Sequence, residues 1–395
     1  MKSRLHSIDC LRALAAVAVC VGHGIVSARW AAIPDRWFQM VCLTLTPIGA
    51  LGVPLFFVIS GFCIHMTYAK GLRDSGGAWP EFRFSAFWKR RLWRLYPTYF
   101  IVLCASMLLL AALYARNPAM PAATRYPEPK PLWMAWDFLA HAAMVHGFFP
   151  MFDQGGGNPP FWTLAREEYL YALYPLFLMG RRSVGVWASA GAVFIAGALP
   201  QFGGTVMMNG PWAVVTSSVL PTWIQWTLGA VAAEAYCGMI QLPWVCRSLW
   251  VVPLWAIAAE VYHPLYLALY GMAFFTLINW CVAWETCHRW PLRGTMRAVA
   301  GIGTMSYSLY LVHVPVQDVM MGVSARIGAF DTPAMYLFRV TVLVAASLAV
   351  ARALFVLVES RFLFSGRPVS IPDQDCPSVS RGPVRAKVEC RRGIQ

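Results

Sequence analysis

The chemistry open to this chain lies in a few ionisable residues set inside long apolar stretches. The first stretch carries Asp9, Arg12 and His23. Eleven residues separate Arg12 from His23, about 16 Å of helical rise and close to three turns, so both leave one face of a helix. Asp9 sits a turn before Arg12 on roughly the same stripe. A histidine so placed is a candidate general base, and the guanidinium a candidate anion holder. The structural alternative is a snorkelling arginine and a core histidine whose hydrogen bonds are satisfied.

Three more groups follow. Lys89, Arg90, Arg91 and Arg94 precede another apolar run, with Arg90 and Arg94 on one helical face and Arg91 and Arg94 an i,i+3 pair. Planar guanidinium forks suit phosphoryl oxygens, but such clusters also mark topology or meet lipid headgroups. Glu167 and Glu168 follow Arg166 in Phe161–Tyr169, where an internal ion pair competes with a carboxylate that orients an imidazole. His313 lies mid-stretch, with Ser306 and Tyr310 as hydrogen-bond partners and Pro315 just beyond. Each such residue costs roughly 3 kcal/mol in a bilayer centre unless it is paired or wetted, which makes it a functional candidate.

The elements that position these groups can be read from composition. Of 395 residues 58% are hydrophobic and 13% charged, with 18 Trp and 23 Phe. Mean hydropathy is +0.54. Soluble domains carry about 25% charged residues, so a soluble globular protein is excluded, as are disordered, collagenous and disulfide-dense classes. Long apolar runs in place of short alternating segments also exclude a strand barrel. An all-α polytopic membrane bundle remains. A ruler of about 20 apolar residues gives ten spans, near 8–27, 45–68, 96–114, 160–179, 186–201, 215–236, 248–262, 264–284, 298–322 and 334–359. In the second span, Gly52 and Pro54 stand where a helix would break, which is tolerated only beside protein or a wet cavity.

Charge orients the bundle. With a cytoplasmic N-terminus, 22 of the 32 basic residues fall on the inner side, and without the tail the ratio is 15 to 6. That asymmetry is the positive-inside pattern, so both termini are expected in the cytoplasm and most of the +14 net charge is topology. Asp9 and Arg12 interrupt what would be a signal-peptide core, and Ser27-Ala28-Arg29 is a poor cleavage site, so the first stretch is kept as a span. The 11 cysteines form no CxxC pair and read mostly as small buried hydrophobes. Residues 1–365 are expected to form one membrane domain. Its outer segment, about 115–159, includes His141, His146 and a Gly155-Gly156-Gly157 turn and is read as an interfacial lid. The polar tail, 366–395, is expected to be disordered.

These strings together resemble the membrane acyltransferase-3 family. The resemblance rests on Arg12 and His23 with Ser7–Ala15, on Phe56–Phe62, on Arg90, Arg91 and Arg94, on Trp162, Leu164 and Glu167, on Ser306–His313, and on Val358-Glu359. These strings, in order, cover about residues 7–362. Cys10 stands where the family commonly has Gly, and the expected form is the stand-alone transmembrane one, without an appended extracytoplasmic domain. The resemblance implies transfer of an acyl group, usually acetyl, from cytoplasmic acyl-CoA to a hydroxyl of an extracytoplasmic or lipid-linked carbohydrate, in a bacterial inner membrane. It implies that Arg12, Arg90, Arg91 and Arg94 hold the donor's phosphates. His23 becomes the general base or a transient acyl carrier, Glu167 its orienter or an acceptor-side base, and His313 a polar group near the thioester. Asp9 counts among the catalytic residues. Carbohydrate, acyl-CoA and lipid are the implied partners, with no metal and no nucleic acid. The rival class is a transporter or flippase of a lipid-linked or acylated substrate, with the same charges lining a path. No inverted repeat supports it.

Overall fold

In a bilayer every backbone N–H and C=O must find a partner within the protein, and a helix supplies one inside each segment. The computed structural model describes residues 5–28, 35–116, 127, 130–202, 219–288, 294–324 and 332–363, and among these every regular element is helical. In chain order the helices are α1 (His6–Ser27), α2 (Arg36–Ala50), α3 (Gly52–Asp74), α4 (Phe84–Arg116) and α5 (Lys130–Ala142). They continue with α6 (Trp162–Val184), α7 (Val186–Phe202), α8 (Leu220–Tyr236), α9 (Val251–Val261) and α10 (Tyr266–His288). The last are α11 (Gly294–Thr304), α12 (Ser306–Ser324) and α13 (Pro333–Leu354), the last of these running through a π-turn, Phe355–Glu359, into the short α14 (Ser360–Leu363).

Each of the ten apolar segments overlaps a helix, but the number able to cross is smaller. Among the described residues five stretches are long and apolar enough: α1, α2 with α3 as one 39-residue run, α4, His263–Cys287 and Pro333–Leu363. α11 and α12 make a sixth if they form one span, bent by 72° at their junction. α6 falls short because Arg166, Glu167, Glu168, Arg181 and Arg182 dilute its apolar character. α7 and α9 are only 17 and 11 residues long. The protein is therefore a multi-pass membrane bundle. The interruption expected at Gly52 and Pro54 is a single residue, Leu51, between α2 and α3. The tail from 366 and residues 117–126 of the outer segment lie outside the described residues.

Glycines set the closest helix approaches. A Cβ on Gly61 of α3 would strike the Trp226 carbonyl of α8, and one on Gly229 of α8 would strike the Val58 carbonyl of α3. Gly303 of α11 meets the Asp9 carbonyl of α1 in the same way. Without a hydrophobic force between helices in lipid, such close backbone packing drives association. Phe62, Tyr171, Tyr174 and Trp226, all at most 2% exposed, fill the space around the α3–α8 contact.

A buried ionic knot ties three of these helices. Arg181 of α6 donates to both carboxylate oxygens of Glu234 of α8, at 2.7 and 3.0 Å. His65 of α3 lies 3.1 Å from Glu234 through Nε2 and 3.1 Å from the Tyr174 hydroxyl through Nδ1. Both His65 and Glu234 are fully buried.

Segment 130–161 packs across α4. Tyr96 and Tyr99 donate to the carbonyls of Ala142 and His141, at 2.7 and 3.0 Å. The Asp137 carboxylate accepts from Gly156 N–H at 2.6 Å, which folds the glycine turn back onto α5. Gly156 and Gly157 have φ of +68° and +66°, a backbone that only glycine adopts without strain. His141 and His146 stack with ring centroids 3.7 Å apart, both fully buried. Burial, and then the neighbouring His141, push His146 down to about 2, so it packs as an uncharged ring.

Candidate active site

A cavity of about 200 Å³ lies where α1, α3, α4, α6 and the α11–α12 bend converge. Along α3 it runs from Val53 to Ile64, about 16 Å of rise. Gly303, Thr304 and Ser306 line it at the bend, where a break in the helix borders the cavity, the setting in which irregular backbone is tolerated in a membrane bundle. Arg12, Arg91 and Arg94 supply its positive charge, and Glu167 and Glu359 its negative charge.

Arg12 donates to the Cys63 thiol at 3.2 Å and lies 3.6 Å from the Asp9 carboxylate. The shared stripe read from spacing is therefore a contact. Of the α4 cluster, the i,i+3 pair Arg91 and Arg94 lines the cavity, while Arg90 is exposed and absent from its wall. Arg91 lies 5.7 Å above the Phe87 ring, which holds its aliphatic stem against the helix. Three guanidinium groups around one pocket are chemically suited to an anion, since each offers a planar fork of donors.

Glu167 faces the same cavity. Its Oε1 accepts from Ser60 at 2.8 Å and from the Tyr171 hydroxyl one turn along α6. These partners are not His23, so the expected pairing of Glu167 with that imidazole is not what the fold brings together. Arg166 does not pair with the adjacent glutamates either. It lies 3.6 Å from Asp153 of the 130–161 segment and 3.8 Å over the Trp162 ring. Glu359, which the sequence left without a role, enters the cavity wall and accepts from the Ser308 N–H at 3.2 Å and from its hydroxyl.

Neither candidate histidine lines the cavity. His23 and His313 meet farther along α1, edge to face, with ring centroids 4.9 Å apart and 3.3 Å between His23 Nδ1 and His313 Nε2. Their protonation follows from their other partners, because a carbonyl can only accept. His23 Nδ1 is 3.0 Å from the Val19 carbonyl and must carry hydrogen there. His313 Nδ1 is 2.7 Å from the Tyr310 carbonyl and carries hydrogen too. The His313 Nε2 lone pair then faces the His23 N–H, and His23 Nε2 keeps its own lone pair. His23 is exposed and His313 is 1% exposed. One turn on, Gln317 donates to the Cys20 carbonyl at 2.9 Å and stitches α12 to α1 beside the pair.

Tyr310 stands between the two centres. It lines the cavity, its ring is 5.6 Å from that of His313, and its hydroxyl is 2.8 Å from Thr163 Oγ1. Sequence reading named Tyr310 only as a hydrogen-bond partner for His313 and missed Ser60, Tyr171 and Glu359 as site residues. Ser60 and Glu359 lay inside strings that carried the family resemblance, and Tyr171 had a local signal in its i+4 spacing from Glu167.

The molecule is thus a multi-pass membrane protein with an arginine-lined cavity and, farther along the same helix, a histidine pair. Comparison with known proteins makes this class specific. A family model described as an acyltransferase domain matches residues 5–356, and the chain belongs to that family, acyltransferase-3. It is 26% identical over 193 residues to acyltransferase MdmB of Streptomyces mycarofaciens, covering 48% of this chain and 44% of that one. To the putative peptidoglycan O-acetyltransferase YrhL of Bacillus subtilis it is 24% identical over 301 residues, 68% of this chain and 44% of the relative. To peptidoglycan O-acetyltransferase OatA of Listeria monocytogenes it is 27% identical over 177 residues, 44% and 24% of the two chains. The matches therefore span less than half the length of each of these relatives. No solved structure gives a significant match.

Proposed function

We propose that the protein is an acyl-CoA-dependent O-acyltransferase that moves an acyl group, acetyl first among candidates, from the cytoplasm to a hydroxyl of an extracytoplasmic or lipid-linked carbohydrate. The observation that carries this reading is the placement of Arg12 in the arginine-lined cavity and His23 beside His313 on one continuous helix. Family membership supports acyl transfer, and two relatives bear the name peptidoglycan O-acetyltransferase. The basic asymmetry of the sequence supports a cytoplasmic N-terminus, which sets the cavity toward the donor's side of a bacterial plasma membrane.

The donor set fits a CoA phosphate group: Arg12, whose partners are a thiol and a carboxylate 3.6 Å away, shares the cavity wall with Arg91 and Arg94, and charge-assisted bonds to phosphate suit all three forked cations. Arg90, exposed beyond the wall, would serve at most at the entrance. When bound, the donor supplies an activated acyl carbonyl. Glu167 with Ser60 and Tyr171, and Asp9 beside Arg12, hold the cavity's polar lining in register. His23 Nε2 takes the proton of the acceptor hydroxyl as its oxygen attacks the acyl carbonyl, the thioester C–S bond breaks, and CoA leaves as a thiolate to which the imidazolium returns that proton. The Nδ1–H of the resulting imidazolium stays shared between the Val19 carbonyl and His313 Nε2, which spreads the charge. His313 thus acts on His23, the part that sequence reading gave to Glu167.

The test is acylation of a cell-wall or lipid-linked glycan by purified protein with labelled acyl-CoA. Wild type is expected to label the acceptor and His23→Ala to lose labelling while remaining folded. Full labelling by His23→Ala sinks the proposed base, and absence of labelling with every acyl-CoA offered sinks the donor.

A further inference from the structure

Pro315 lies inside α12. A proline has no N–H, so the carbonyl four residues earlier, that of Leu311, loses its helical donor. Leu311 is fully buried, and a buried carbonyl demands another partner. Asn158 provides it: its Nδ2 donates to the Leu311 carbonyl at 2.8 Å, across 153 residues of chain. Asn158 is itself fully buried, in Gly157-Asn158-Pro159-Pro160, where the 130–161 segment turns into α6. The same turn grips the next residue back along α12, since the Tyr310 hydroxyl lies 3.3 Å from the Pro160 carbonyl. The Tyr310 carbonyl is the one that receives His313 Nδ1–H. Consecutive residues of α12, one holding the imidazole's tautomer and the other released by the proline, are therefore fixed by one turn of another segment.

We infer that Asn158 is a positioning residue, which supplies the hydrogen bond that Pro315 removes and so sets His313 against His23. The inference rests on the general-base reading for its effect on rate, but not for its effect on the imidazole. Segment 130–161 is in this respect part of the reaction centre, although none of its side chains contacts either ring of the pair among the described contacts.

Proline chemistry makes the test specific. Pro315→Ala restores a backbone N–H that can serve the Leu311 carbonyl, and Asn158 then becomes dispensable. Asn158→Leu alone is expected to lower kcat about tenfold, the lower end of the scale found for groups that orient metal-bound histidines, with KM for the acyl donor unchanged. In the Pro315→Ala background the same change is expected to have little effect on kcat. Asn158→Ser, which keeps a donor, should recover part of the loss. ¹⁵N-histidine spectra give a readout independent of turnover: His313 should lose its Nδ1–H tautomer in Asn158→Leu and keep it in the double variant. Wild-type kcat and tautomer in Asn158→Leu overturn the inference, as does an equal loss in both backgrounds. If Asn158→Leu alone does not accumulate as folded protein, a folded double variant supports the inference and an equally unfolded one overturns it. A tautomer change rescued by Pro315→Ala in a protein whose His23→Ala form is fully active would leave the positioning role standing and remove only the general base.

Discussion

The cavity and the histidine pair, set along the same helix, are held by different means. Around the cavity, side chains hold side chains: Arg12 with Cys63 and Asp9, Glu167 with Ser60 and Tyr171, Glu359 with Ser308. Around the pair, backbone carbonyls of Val19 and Tyr310 fix the rings, and Gln317 is anchored on the carbonyl of Cys20. A network of rotatable charged groups can reorganise around a ligand of its own polarity. An imidazole bonded to the backbone of its own helix must break that bond to turn. The first arrangement suits binding, the second a proton transfer whose geometry must already exist before the substrate arrives.

Substitutions can break this contrast. The largest effect is expected at His23: the Ala variant should lose about 10²- to 10⁴-fold in kcat, the range of a general base, with donor affinity unchanged by calorimetry. A parallel loss of affinity would merge the two regions into one site. Next comes Arg91→Ala with Arg94→Ala, which should raise KM for the donor by about 10- to 100-fold, as loss of a charge-assisted hydrogen bond worth about 1.5–3 kcal/mol predicts. Here kcat at saturation should hold, and a collapse of kcat instead would place the arginines in the chemical step. Gln317→Leu removes one neutral hydrogen bond of about 1 kcal/mol, so roughly a fivefold drop in kcat with unchanged KM is expected from steady-state rates. Glu234→Ala lies outside both regions. Leaving Arg181 without its partner should cost about 3 kcal/mol of stability, seen as earlier thermal unfolding in detergent, while kcat and KM of the folded fraction stay at wild type.

The architecture and one half of the site were legible in the sequence because they are local properties. Apolar runs marked the helices, and the spacing of Arg12 and His23 put both on α1 without any tertiary information. The count of crossing helices was less legible, since α6 pays for its five charges in apolar length and α11 and α12 share one run around a sharp bend. Pairings across the bundle left no local trace. His313 reaches His23 over 290 residues, and Glu359 enters the cavity only because a π-turn ends α13 there. Glu167 was read as an orienter of His23 from its residue type and the family resemblance. Neither fixes azimuth, and the α6 face that bears Glu167 turns toward Ser60 of α3 instead. His65, Arg181 and Glu234 went unread as a group for the same reason.

The glycine contacts described above also bear on how the cavity admits anything. Its α3 wall, with Ser60 and Cys63, is clamped to α8 backbone to backbone at Gly61 and Gly229, and its α11 wall is clamped to α1 at Gly303. Neither can yield without prising main chains apart. The cavity works like a vice with its jaws fixed on those sides, so any widening has to come from its remaining walls, among them α4 with Arg91 and Arg94 and α6 with Glu167 and Tyr171. On the proposed acyl-donor reading, the size of group the cavity accepts is then a mechanical property of α4 and α6, and altering it begins with the side chains behind those two helices.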